Sequence, residues 1–155
     1  MKHVTLLFIR QGDQILLAMK KRGFGVGKWN GVGGKVQEGE SFRAAVVREC
    51  EEEIGVTPHH PVRIGHIRFF DPNDPAFEHD GHIFVALSYD GEPHETDEMR
   101  PQWFPVSDIP YDNMWPADKL WLPHLLNGEL FEGTVTTTET EVTDHHIQVL
   151  EKLER

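Results

Sequence analysis

The chain of 155 residues has one cysteine, no long apolar run, and only 15 Lys and Arg against 26 Asp and Glu. Each scarcity excludes something. A lone thiol, Cys50, excludes an intrachain disulfide and, with no leader pattern at the N-terminus, favours a reducing cytoplasm. The apolar stretch before Arg10 is six residues long, far short of the roughly 20 that span a bilayer, so no membrane partner is expected. A formal net charge of −11 leaves no basic face for a nucleic-acid duplex. It also weighs against any polyanionic ligand, unless the acids collect divalent cations and so invert the local field. Where the acids sit therefore decides the matter.

What is present is an ordinary globular composition, 38% hydrophobic and 10% aromatic, with a length that suits one domain over residues 1–155 and a monomer. Residues 3–9 and 14–19 are apolar stretches around Gln11-Gly12-Asp13 and predict an antiparallel hairpin. Six glycines between Gly23 and Gly34 then form a loop with a basic start at Lys20, Lys21 and Arg22. Such a loop is either a flexible surface segment or a backbone shaped to approach a ligand closely. Ser41 as N-cap and Gly55 as a left-handed terminator bracket a helix over 42–54.

Beyond Pro58, strands are expected at 62–70 and 82–89, with FFDPNDPAFEHDG between them read as a loop. A further strand fits 102–106, a helix 117–127, and a closing hairpin 131–138 with 142–150. Strands and helices alternate without βαβ regularity, which predicts an α+β fold, a mixed β-sheet sandwiched between helices. The ten histidines show no spacing that suggests a metal site; His59-His60 and His145-His146 are expected on loops or exposed strands.

The acids concentrate in that first helix, where Glu fills four of the five positions from 49 to 53. At about 100° per residue, with Val46 as zero, Phe42, Cys50 and Ile54 form an apolar stripe near −40°, +40° and +80°. Glu53, Glu49 and Glu52 fall near −20°, −60° and −120° on one flank, while Glu51 points elsewhere, to solvent. Two ionised carboxylates about 5 Å apart repel by roughly 3 kcal/mol at an effective dielectric near 20. A solvated acidic face would scatter or alternate its charges. This one converges beside the core, so a cation is the better explanation; oxygen-only ligands select Mg²⁺, Mn²⁺ or Ca²⁺ over zinc, and Mg²⁺, with Mn²⁺ as a substitute, is the expected cofactor.

These residues also carry a resemblance. Gly34, five residues, Glu40, seven residues, Arg48-Glu49-Cys50, one residue, Glu52-Glu53, one residue, Gly55-Val56 resembles the Nudix box, with Cys50 where an aliphatic residue is usual. Outside the box, MKKRGFG at 19–25, KWNG at 28–31, GGKVQEGE at 33–40, DEMRP at 97–101 and NMWP at 113–116 are similar to the oxidised-purine nucleoside triphosphatase branch, the 8-oxo-dGTP diphosphatases. The resemblance implies a Nudix fold and a Mg²⁺-dependent hydrolase that cleaves a nucleoside triphosphate to monophosphate and pyrophosphate.

Carried over position by position, the resemblance implies that Glu49, Glu52 and Glu53 hold the metal with help from the Gly33 carbonyl. Arg48 would orient a glutamate, Glu40 would brace the loop, and Glu98 would serve metal binding or base catalysis. Lys20 would lie near the ligand. The nucleotide base would sit among Thr5, Leu6, Phe24, Asn30, Phe69, Met99, Trp115, Asp118 and Trp121, although a lone aromatic is more often core than ligand platform. Two departures bear on substrate. The family's acidic pair after Trp-Pro is Ala117-Asp118 here, and Asp71 replaces a third aromatic. Another nucleotide, such as an unmodified purine triphosphate or ADP-ribose, and a non-catalytic nucleotide-sensing module stand as alternatives.

Overall fold

The computed structural model describes residues 2–151. In chain order the elements are β1 (Lys2–Gln11), β2 (Gln14–Lys20), β3 (Trp29–Asn30), α1 (Phe42–Ile54), β4 (Thr57–Pro58), β5 (Val62–Asp71), β6 (Asp74–Ala86), β7 (Tyr89–Asp90), β8 (Met99–Pro105), α2 (Asp118–Leu126), β9 (Leu130–Thr137) and β10 (Val142–Leu150). The main sheet runs β10-β9-β5-β6-β1-β2-β3, with β8 also on β2, and β4-β7 form a small separate ladder. Pairs β1–β6 and β5–β9 are parallel and the rest antiparallel, so the sheet is mixed, as expected.

Strand β1 explains the layering. Its run Thr-Leu-Leu-Phe-Ile is buried on both faces, as a central strand covered on two sides should be. Leu7 and Ile9 point to one side, where Val46, Cys50 and Ile54 of α1 cover them with Phe84 and Ala86. Phe8 points to the other, where it meets Trp121, Leu122 and Leu125 of α2 together with Ile67, Ile83 and Phe131. The sheet is thus sandwiched between two helices. Helix α1 begins where the Ser41 hydroxyl accepts from the Ala44 amide at 3.1 Å and ends at Gly55 with φ +73°.

One expectation fails. The stretch FFDPNDPAFEHDG is not a loop: β5 continues to Asp71 and β6 begins at Asp74, leaving a turn of two residues. Its Asp side chains, read as loop formers, satisfy turn amides instead. Asp71 accepts from the Asn73 amide at 2.8 Å and Asp74 from the Ala76 amide at 3.0 Å. Pro75 is tolerated because it lies at the exposed end of its strand.

The glycine-rich segment is equally ordered. Leu7 and Val32 exchange backbone hydrogen bonds at 2.7 and 2.9 Å, Thr5 donates to the Gly34 carbonyl at 2.9 Å, and Val36 donates to the His3 carbonyl at 3.0 Å. This lays residues 32–36 flat against β1. A Cβ at Gly33 would collide with the Thr5 carbonyl. Replacing Gly33 by Ala is therefore expected to cost about 1–3 kcal/mol, the usual range for overpacking, measured as a lowered urea midpoint at unchanged slope.

Candidate active site

The close approach at Gly33 continues at Gly34, where an added Cβ would lie 2.7 Å from the Glu49 carboxylate. Gly33 thus lets the loop lie on β1, and Gly34 lets it pass directly over the acidic turn of α1. Arg48 organises that turn from below. Its guanidinium donates to Glu40 at 2.7 and 3.0 Å, to Glu49 at 2.9 Å, to Glu52 at 3.4 Å and to the Lys35 carbonyl at 3.1 Å. Glu40 in turn accepts from the Gln37 amide at 3.0 Å, fixing the loop to the helix. The Arg48 bonds pull the Glu40 carboxyl down to about 2.

Glu53 stands differently. Burial and the neighbouring Glu49 push its carboxyl up to about 8, partly offset by Lys20 and reinforced by Glu98. Its Oε2 is buried without a hydrogen-bond partner. Glu52 is 61% exposed at its side chain, on the solvent side of the same flank. A buried carboxylate oxygen lacking a donor beside a second carboxylate fits a divalent cation, and the all-oxygen donor set fits a hard one. Glu51 faces away, accepting from the Thr57 hydroxyl at 2.7 Å.

A cavity opens from this turn across the α2 side of the sheet. It is bordered by Gly33 and Gly34 at one end and by Thr5, Leu6, Lys20, Phe24, Asn30, Phe69, Met99, Trp115 and Asp118 along its walls. The expected residues are therefore brought together, with two exceptions. Trp121 is not on the wall: it is fully buried, edge-on to Phe8 at 5.7 Å and stacked on Phe131 at 6.1 Å, because α2 turns its indole into the core. Glu98 is not among the residues that line the cavity and is held in an exposed ion pair with Arg22. That pairing keeps its carboxyl below the usual range.

Sequence reasoning missed Phe77, His79, Lys28 and Thr137, which also line the cavity. Phe77 and His79 were hidden because their segment read as a loop; the β6 hairpin brings Phe77 to 5.6 Å from Phe24, which lies 5.1 Å from Trp115. Lys28 lies 5.2 Å from the centre of the Trp115 ring. At the inner wall, Asp118 accepts from the Trp115 amide at 3.1 Å and is 3% exposed. Burial raises its carboxyl to about 7 against that amide and Lys28. Asn30 accepts from the Gly31 amide through Oδ1 at 2.8 Å, and the Thr5 hydroxyl is buried without a partner. Ala117, 1% exposed, lines the same wall.

An acidic cradle held by an arginine and opening on an aromatic slot defines a phosphate-ester or anhydride hydrolase class of site. The family model for the NUDIX domain matches residues 1–125. The chain belongs to the Nudix family, whose members generally use divalent metal ions. It is 49% identical over 132 residues to an oxidized purine nucleoside triphosphate hydrolase of Danio rerio, covering 85% of this chain and 84% of the relative. The Mus musculus protein of the same description is 46% identical over 129 residues, covering 83% and 82%. A crystal structure of a MutT protein from Bacillus halodurans superposes with TM-score 0.82 at 28% identity, covering 95% of this chain and 97% of that one.

Because Glu53 and Asp118 bind protons more tightly folded than unfolded, the folded chain carries excess protons between their ordinary carboxylate values and about 8 and 7 respectively. Metal-free stability is therefore expected to be fully present below pH 4 to 5 as far as these two groups are concerned, and to fall as pH rises toward 8. Thermal melts in chelator across pH 5 to 9 check this, and Glu53→Gln should remove the part of the slope nearest pH 8.

Proposed function

We propose that this chain is a Mg²⁺-dependent pyrophosphohydrolase of oxidised purine nucleoside triphosphates, such as 8-oxo-dGTP, releasing the monophosphate and pyrophosphate. The observation that supports this most is the continuity of the two halves of the site: Gly33 and Gly34 both line the aromatic cavity, and Gly34 also lies against the Glu49 carboxylate of the acidic turn. A base in the slot would thereby direct its phosphates toward Glu49, Glu52 and Glu53. Those three, with the Gly33 carbonyl, would hold the ion, and Glu98 would join them only by leaving its ion pair with Arg22. When bound, Mg²⁺ supplies charge neutralisation and a more acidic water for attack on phosphorus.

The chain's own residues do the rest. Arg48 keeps Glu49 aimed at the cleft while Lys20 offers the phosphate chain a cation. Phe24, Phe77 and Trp115 present faces on which a purine stacks, worth roughly 1–3 kcal/mol. Asp118, whose burial raises its carboxyl to about 7, can donate to the base edge beside Asn30 when protonated and accept from it when ionised. Such a proton-bearing group suits a purine whose N7 has become a donor and whose C8 carries an oxygen. Residues 1–155 are read as one such domain, acting as a cytoplasmic monomer on a small nucleotide rather than on a duplex. No helix among the described residues is long and apolar enough to cross a membrane.

The reading is checked by product analysis with Mg²⁺ over a panel of purine triphosphates, where 8-oxo-dGTP is expected to give monophosphate and pyrophosphate. Absence of turnover with every purine triphosphate would overturn it, and Glu53→Gln should lower kcat about 10²-fold or more. Ala117 favours a second reading, a different nucleotide preference on the same chemistry. Restoring the carboxylate with Ala117→Asp is expected to change the kcat/KM ratio of 8-oxo-dGTP over dGTP by about 2–10-fold, the worth of one hydrogen bond. An unchanged ratio would show that this wall does not read the base.

A further inference from the structure

The opposite face of the same strands carries a second constellation. Register places His3 of β1 beside Asp80 of β6, and His66 of β5 beside His82 of β6. Because side chains alternate along a strand, Asp80 and His82 share the face of Phe84 and Ala86, on the α1 side. His79, between neighbours on that strand, points instead to the nucleotide cavity. Two polar sites thus lie on opposite sides of one sheet.

On the α1 side three side-chain ligand atoms converge. His3 Nδ1 lies 3.1 Å from His82 Nε2 and 3.4 Å from Asp80 Oδ2, and His82 Nε2 lies 3.9 Å from that same oxygen. A tetrahedral ion with bonds of about 2.0–2.1 Å has ligand–ligand edges of about 3.3–3.4 Å. The three atoms therefore form one triangular face of such a polyhedron. His66 Nε2 closes on the other carboxylate oxygen, Oδ1, and orients Asp80 from behind. Phe42, the first residue of α1, stacks on His82 with ring centres 3.8 Å apart and fixes that imidazole. Asp80 and His82 side chains are 9% and 3% exposed, whereas His3 is 47% exposed and leaves a path from solvent.

We propose that His3, Asp80 and His82 form a Zn²⁺ site, separate from the nucleotide cleft, with the fourth position open to water. Two imidazoles are borderline donors, and with one carboxylate beside them they favour zinc over magnesium, the reverse of the all-oxygen turn at Glu49, Glu52 and Glu53. Bound there, the ion ties the start of β1 to β6 under the N-terminus of α1. Binding places a proton on His82 Nδ1, so the Arg63 guanidinium, now 3.3 Å from that nitrogen, turns aside. The site is independent of the proposed activity.

The test uses the full chain without a histidine tag, stripped by chelator and titrated with Co²⁺ in the presence of excess Mg²⁺. Expected is the intense visible absorption of four-coordinate Co²⁺ at one ion per chain, displaced stoichiometrically by Zn²⁺ and accompanied by a rise in Tm. His3→Gln, at a half-exposed position, and His82→Gln should each weaken binding at least tenfold, while the double variant Glu52→Gln/Glu53→Gln keeps it. Circular dichroism of His3→Gln confirms an intact fold, so the result stands even where His82→Gln misfolds. No such absorption, or absorption that survives in His3→Gln and vanishes in the glutamate variant, would overturn the assignment and leave a hydrogen-bonded histidine array.

Discussion

The site rests on a conflict between like charges. Glu53 is buried against Glu49 with one oxygen unpaired, which no helix would adopt for its own stability. Arg48 relieves the conflict on one side only. By engaging Glu40 and Glu49 together it ties helix to loop, and it leaves the Glu53 side without a cationic partner bonded to it. On the function proposed above, a divalent ion would satisfy what remains. Under that proposal an acidic chain could take a polyanionic ligand, because the ion would reverse the sign of the field where the phosphates arrive.

Geometry around that turn is set by absence of side chain. Gly33 and Gly34 leave room for β1 and for the Glu49 carboxylate, so the loop can lie on both. A backbone that close carries the cavity floor up to the acidic flank of α1, and the two halves of the site become one. The aromatic end is built from further apart in the chain. Phe24 comes from the glycine-rich loop, Phe77 from the β5–β6 hairpin and Trp115 from the segment before α2, and they meet only because the sheet order places those segments at one end.

The central sheet also separates chemistries. On one face, buried carboxyl and amide groups line an aromatic slot; on the other, imidazoles and a carboxylate gather beneath the start of α1. Strand β6 serves both, because successive residues point opposite ways. A change of one residue in its register would exchange His79 with Asp80 and dismantle both arrangements at once.

Local signals were legible in the residues themselves. Ser41 and Gly55 delimited α1, the 3.6-residue period put Glu49, Glu52 and Glu53 on one flank, and the Nudix box with its flanking motifs carried the family. These depend on neighbours a few positions away, and such short-range rules are written directly in sequence. What required the tertiary structure was every property set by partners far along the chain. Trp121 proved to be core because α2 faces it toward Phe8 and Phe131, and the Asp-Pro segment after Phe70 proved to be a hairpin because pairing outweighed its turn composition. His3, His66 and His82 showed no spacing because three strands, joined only by register, bring them within reach of Asp80. Sequence determined the helix and its charge, while long-range packing decided which polar groups would be buried together, since burial depends on the whole fold and not on any window of it.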